Sequence, residues 1–147
     1  MTELDTPTAA RRPEFRNINA FTDLPFYRLP LAGVVSILHR ISGALMFVLL
    51  PFIIWMFDTS LSSEISFARF KNVLSSGAIG LPGWAIKLVL LALLWAYLHH
   101  LIAGLRHLWM DVNHAVSKEF GKTSAAVTLV LSVGLTLALG AKLFGLY

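Results

Sequence analysis

The residues able to do chemistry fall into two groups. Ser36, His39 and Arg40 stand together early in one apolar stretch, and His99, His100, Arg106, His107 and Asp111 follow along another. Cysteine is absent, which excludes disulfides, thiolate-bound zinc or iron–sulfur clusters, and a cysteine nucleophile within this chain. An imidazole in an apolar stretch can hydrogen-bond a neighbouring helix, relay a proton or ligate a metal. Ser36 and Arg40 are four apart and share a helix face. A hydroxyl and a guanidinium so placed can hydrogen-bond a carbonyl oxygen and stabilise the negative charge that grows on it during reduction. A quinone headgroup suits that pair.

His100 lies 16 residues after Trp84 and 11 before Asp111, about 24 Å and 16 Å along a helix, so it is deep in its span. Its i±4 row reads Ala92, Ala96, His100, Gly104. Small neighbours let something bulky approach the backbone, either a porphyrin plane or a tightly packed helix; both readings stand at this point. His99 points about 100° away, between Trp95 and Ala103, and reads as a packing or hydrogen-bonding residue. His107 is about 10 Å beyond His100 on nearly the same face. With Arg106 it is placed to meet haem propionates, and Asp111 is placed to pair with Arg40. An electron-transfer haem takes two axial ligands, and one helix cannot supply both. His39 is the only histidine on another span and is expected nearer the membrane surface, so a second polypeptide is the simplest source of the other ligand.

These side chains need spanning elements to hold them. Of 147 residues, 56% are hydrophobic and 14% charged, against about 45–50% and 25% in soluble domains. Three stretches reach the length of roughly 20 apolar residues that a spanning helix needs: 32–57, 84–110 and 124–146. Pro51 is expected to kink the first. Residues 58–76 read as a loop with an interfacial helical piece, and 111–123 as a polar turn. Thr128, Ser132, Thr136 and Gly140 form a small-residue stripe for helix–helix contact, with no chemistry of its own. The organisation expected is an interfacial segment over 1–31 and an anchor domain over 32–147.

Net charge is +4. The cations flank the apolar runs, which points to membrane interfaces and away from nucleic acid. Arg11, Arg12, Arg16, Arg28, Arg40, Arg106, Lys118 and Lys122 share one side, whereas Arg69, Lys71, Lys87 and Lys142 share the other. This bias puts the N-terminus in the cytoplasm and the C-terminus outside. No secretory signal is apparent at the start, and Glu3, Asp5 and Glu14 disfavour a mitochondrial transit peptide.

The stretch Ser36-Ile37-Leu38-His39-Arg40-Ile41-Ser42-Gly43, preceded by Arg12-Pro13, resembles the first signature of the cytochrome b subunit of succinate dehydrogenase, a membrane anchor of respiratory complex II. The run from His100 through Gly104, Arg106 and His107 to Asp111 resembles the second. The resemblance covers about residues 12–147. It implies an all-α integral membrane fold whose three transmembrane helices form part of a heterodimeric haem-binding bundle. It implies a b-type haem with His100 as axial ligand, the other axial histidine coming from a second membrane-anchor subunit. It places His107, His39 and Arg40 toward the propionates, and Ser36, Arg40 and Asp111 at a site for ubiquinone or another quinone. It further implies an iron–sulfur subunit and a flavoprotein subunit as partners, and no succinate site in this chain. The acidic N-terminal segment suggests a bacterial inner membrane, with a periplasmic C-terminus.

A haem-free structural anchor of a fumarate reductase-like complex is the alternative. In it, His100 only packs. A small transporter or proton relay is disfavoured, since no acidic residue lies in mid-span and no inverted repeat is visible.

Overall fold

The structure, a computed structural model, describes residues 17, 19, 21–23 and 26–146. Arg11, Arg12, Pro13 and Arg16 lie outside the described residues. Five helices follow in order: α1 (Leu31–Val48), α2 (Leu50–Leu61), α3 (Glu64–Ser76), α4 (Gly83–Asn113) and α5 (Lys118–Leu143). Three of them, α1, α4 and α5, are long and apolar enough to cross a membrane.

The first expected span is broken where Pro51 requires it. The helix stops at Val48, Leu49 takes a non-helical conformation, and α2 restarts with Pro51 in its first turn. Proline cannot donate the ladder bond of a helix interior but is well tolerated in a first turn, where donors have no partner anyway. α3 is the helical piece expected between the spans. It opens on a reciprocal cap: Ser66 N–H donates to Ser63 Oγ (3.1 Å) and Ser63 N–H to Ser66 Oγ (2.9 Å).

The helix of the third span, α5, begins earlier than expected, at Lys118 instead of about residue 124. The turn before it is only 114–117. Ser117 caps the helix by accepting from Phe120 N–H at 3.2 Å. Polar residues after a good cap continue a helix. An apolar window finds the part that crosses a bilayer and overlooks the polar turns before it.

α1 packs on α4 and α5, α4 packs on α5, and α3 leans on α2 and α4. The α4–α5 seam is built from the stripe on α5, where Gly121, Ala125, Thr128, Ser132, Thr136 and Gly140 are all buried. Its hydroxyls turn back on their own helix: Thr128 Oγ1 donates to the Ser124 carbonyl at 2.9 Å and Thr136 Oγ1 to that of Ser132 at 2.6 Å. That satisfies a polar group without a water molecule. Outward-facing Phe47, Val130 and Leu137 are largely exposed, as lipid-facing positions of spanning helices are.

Candidate functional site

The structure brings together three of the expected residues, His39 from α1 with His100 and His107 from α4. The His39 and His100 rings stack at 4.1 Å between centroids, 20° from parallel. His107 lies 5.3 Å from His39, tilted by 46°. His39 is therefore level with His100 and not nearer the end of the bundle. α1 and α4 run antiparallel, and the first turn of α1 lies beside Met110. Eight residues inward from Leu31 and ten inward from Met110 then reach the same depth.

Two residues not singled out from the sequence orient His100. Its Nδ1 lies 3.0 Å from the His39 carbonyl oxygen and 3.3 Å from Ser42 Oγ. Ser42 Oγ itself donates to that carbonyl at 2.8 Å. A carbonyl only accepts, so the proton belongs on Nδ1 and the lone pair on Nε2. Gly43 closes the same contact: a Cβ there would stand 2.9 Å from His100 Cε1. Both stand in the Ser36–Gly43 stretch, but their spacing along α1 does not point to His100.

The small-residue row of α4 is partly filled by this chain. The His39 ring lies over Gly104, with Nε2 3.7 Å from where a Cβ would be. That Nε2 is buried and has no hydrogen-bond partner among the described residues. The three imidazoles do not form a metal cage; among the described residues, no group of three or more His, Cys, Asp or Glu does.

The other expected residues are placed differently. Ser36 is half-buried, and Arg40 and Asp111 are exposed. The expected Arg40–Asp111 pair is not formed, and none of the three side chains makes a hydrogen bond among the described residues. Arg106 is not brought to the histidine face. One residue from His107 is a rotation of about 100°, which turns its side chain to α5. There Nε donates to Ser124 Oγ at 2.9 Å and Nη2 to the Gly121 carbonyl at 3.3 Å.

His99 is fully buried on the far side of α4. It stacks on Trp95 at 5.3 Å and its Nδ1 meets Ser132 Oγ at 3.2 Å. It packs and hydrogen-bonds through Nδ1, as its crowded row suggested, while its Nε2 is buried with no hydrogen-bond partner among the described residues. Ser132 therefore gives the α5 stripe a polar partner that the spacing alone did not reveal. A cavity of about 740 Å³ lies in the other half of the bundle, lined mainly by apolar residues such as Met46, Leu50, Leu93 and Tyr97, with Lys142 beside them and no histidine among the described residues.

Three spanning helices with a histidine seam between the first and second spans define a multi-pass membrane protein. The family model described as succinate dehydrogenase/fumarate reductase transmembrane subunit matches residues 12–139, and the chain belongs to that family. It is similar to the succinate dehydrogenase cytochrome b556 subunit of Coxiella burnetii, with 36% identity over 75% of this chain and 83% of the relative. The protein of the same name from Paracoccus denitrificans is 33% identical over 75% and 79%. That of Rickettsia felis is 28% identical over 79% and 85%. The chain is thus a membrane subunit of an oxidoreductase complex.

Proposed function

We propose that this chain is the membrane-anchor cytochrome b subunit of a succinate:quinone oxidoreductase, sharing a b-type haem with a second anchor subunit and helping to form a quinone-reduction site. The observation that carries this reading is the orientation of His100. Its Nδ1–H is held by the His39 carbonyl, and its Nε2 keeps a lone pair. Histidines that ligate metals commonly donate their other N–H to a carbonyl, which fixes the tautomer and makes the ligating nitrogen more basic.

The residues present fit a haem. His100 Nε2 would hold the iron. The buried, unpartnered Nε2 of His39 suits a propionate oxygen, and the neighbouring His107 ring can add a second donor. When bound, haem supplies a one-electron redox centre. A histidine of the second anchor chain would hold the iron together with His100, because the His39 ring is already stacked on His100. Arg106 is not assigned to the propionates, given its partners on α5.

At the quinone, the Ser36 hydroxyl would donate to one carbonyl oxygen. The Arg40 guanidinium would donate to the same oxygen and stabilise it as it gains negative charge. Asp111 lies about 16 Å along α4 from the level of His100, so it is not assigned a contact with the Arg40 guanidinium. Neither the Ser36 nor the Arg40 side chain makes a hydrogen bond among the described residues, which supports a role for both toward an external carbonyl. The complex would be completed by an iron–sulfur subunit and a flavoprotein subunit, which oxidises succinate and delivers electrons. The charge bias supports an N-terminus on the cytoplasmic side of a bacterial inner membrane, facing those soluble chains.

Haem content and quinone reduction in the purified complex test this reading. We expect haem in the wild type, its loss in His100→Ala, and retained haem with slowed quinone reduction in Ser36→Ala. Full haem in His100→Ala would contradict the ligand assignment. Unchanged quinone kinetics in Ser36→Ala would contradict the quinone assignment.

A further inference from the structure

Arg106 is a buried cation with neutral partners. Only 9% of its surface is exposed, and its two hydrogen bonds go to a hydroxyl and a carbonyl. Nη1 makes none among the described residues. A guanidinium stays charged at any ordinary pH. A charge removed from water is costly unless a counter-charge meets it. The nearest acidic residues in sequence do not supply one. Asp111 is five residues on, about 140° around the helix, and exposed. Glu119 is exposed at the start of α5 and does not line the space beside Arg106.

That space is a cavity of about 470 Å³ at the end of the bundle where α1 and α5 begin and α4 ends. Arg106, Lys118 and Lys122 line it, and Leu31 and Met110 give it apolar walls. Lys118 and Lys122 are four apart and share a face. They stand in the opening turns of a 26-residue helix, where the macrodipole adds positive potential. The Ser117 hydroxyl is already used as the cap, so the three cations are what the cavity offers an anion.

We propose that this cavity binds the phosphate of an anionic phospholipid, with Arg106 and the two lysines on the phosphate and an acyl chain against Leu31 and Met110. The apolar walls favour a lipid over free phosphate, though the recognising chemistry is shared. Basic pockets between spanning helices at the membrane surface bind such headgroups. Among the described residues, no histidine lines this cavity, and the proposal does not rest on the haem assignment.

The test uses the whole purified complex in nanodiscs of phosphatidylglycerol or phosphatidylcholine. Thermal unfolding and retained lipid, by native mass spectrometry, are read for the wild type, Arg106→Gln and the double variant Lys118→Gln/Lys122→Gln. We expect phosphatidylglycerol to raise the unfolding midpoint of the wild type and to be retained selectively. Each cation removed should lower that selectivity about fivefold, the equivalent of ~1 kcal/mol per surface cation. The double variant keeps the buried contacts of Arg106, so it reads the site even where Arg106→Gln fails to assemble. Inorganic phosphate added to the detergent-solubilised complex distinguishes the source. Stabilisation by phosphate, lost in the double variant, supports the anion site with an aqueous ligand. Equal stability in both lipids, or selectivity unchanged in the double variant, overturns the proposal.

Discussion

Adjacent histidines on α4 point about 100° apart and do different jobs. His99 looks to α5, is wholly buried, stacks on Trp95 and meets Ser132. Everything around it belongs to this chain. His100 looks to α1, where the His39 carbonyl and Ser42 hold one nitrogen and leave the other uncommitted. The α4–α5 seam is closed by this chain's own side chains, although His99 Nε2, like His39 Nε2, is buried without a hydrogen-bond partner among the described residues. The α1–α4 seam holds His100 through the His39 carbonyl and the Ser42 hydroxyl, and leaves the side chains of Ser36 and Arg40 without hydrogen bonds among the described residues. A spanning helix can thus use one face for stability and hold the next residue, 100° away, for a ligand.

The largest effect that would sharpen this contrast comes from Gly43→Ala. The added Cβ would stand 2.9 Å from His100 Cε1, and overpacking of this kind costs about 1–3 kcal/mol. Because the ring edge must move, we expect sharply reduced haem occupancy in the purified complex. Full occupancy would show that the ring has other room. Arg40→Gln comes next. We expect quinone reduction to fall about 10²-fold, the usual loss for a donor that stabilises developing charge. Steady-state kinetics at matched haem content should show this; Arg40 makes no hydrogen bond or ion pair among the described residues.

Ser132→Ala should leave the haem spectrum alone and lower stability. It strips His99 Nδ1 of its partner, and an unsatisfied buried polar group costs about 1–3 kcal/mol. Thermal unfolding of the assembled complex checks this; a spectral change would mean that the two faces are coupled. The smallest effect is expected for Ser42→Ala. The His39 carbonyl still accepts from His100 Nδ1, so haem should stay bound with a modest change in midpoint potential by redox titration. Loss of haem in that variant would make Ser42 the dominant partner.

Much of this architecture was legible in the sequence because bilayer constraints are written in composition. Long apolar runs, the break at Pro51 and the small-residue stripe of α5 each follow from a one-dimensional pattern. The start of α5 at Lys118 was not legible from hydropathy, because a capped helix runs on through polar residues. The direction of Arg106 was lost for a related reason. Its neighbour His107 drew it to the histidine face, whereas one helical step turns it to Ser124 and Gly121. The contacts of Ser42 and Gly43 with His100 join residues 58 and 57 apart in the chain, so they depend on the depth at which α1 and α4 meet. Spacing along one helix does not carry that information.

The most direct measurement is the dithionite-reduced minus oxidised spectrum of the purified complex for the wild type, His100→Ala and His99→Ala. We predict a b-type band in the wild type, its loss in His100→Ala and its persistence in His99→Ala. A band that survives in His100→Ala and vanishes in His99→Ala would reverse the two faces. No band in the wild type would leave a haem-free structural anchor.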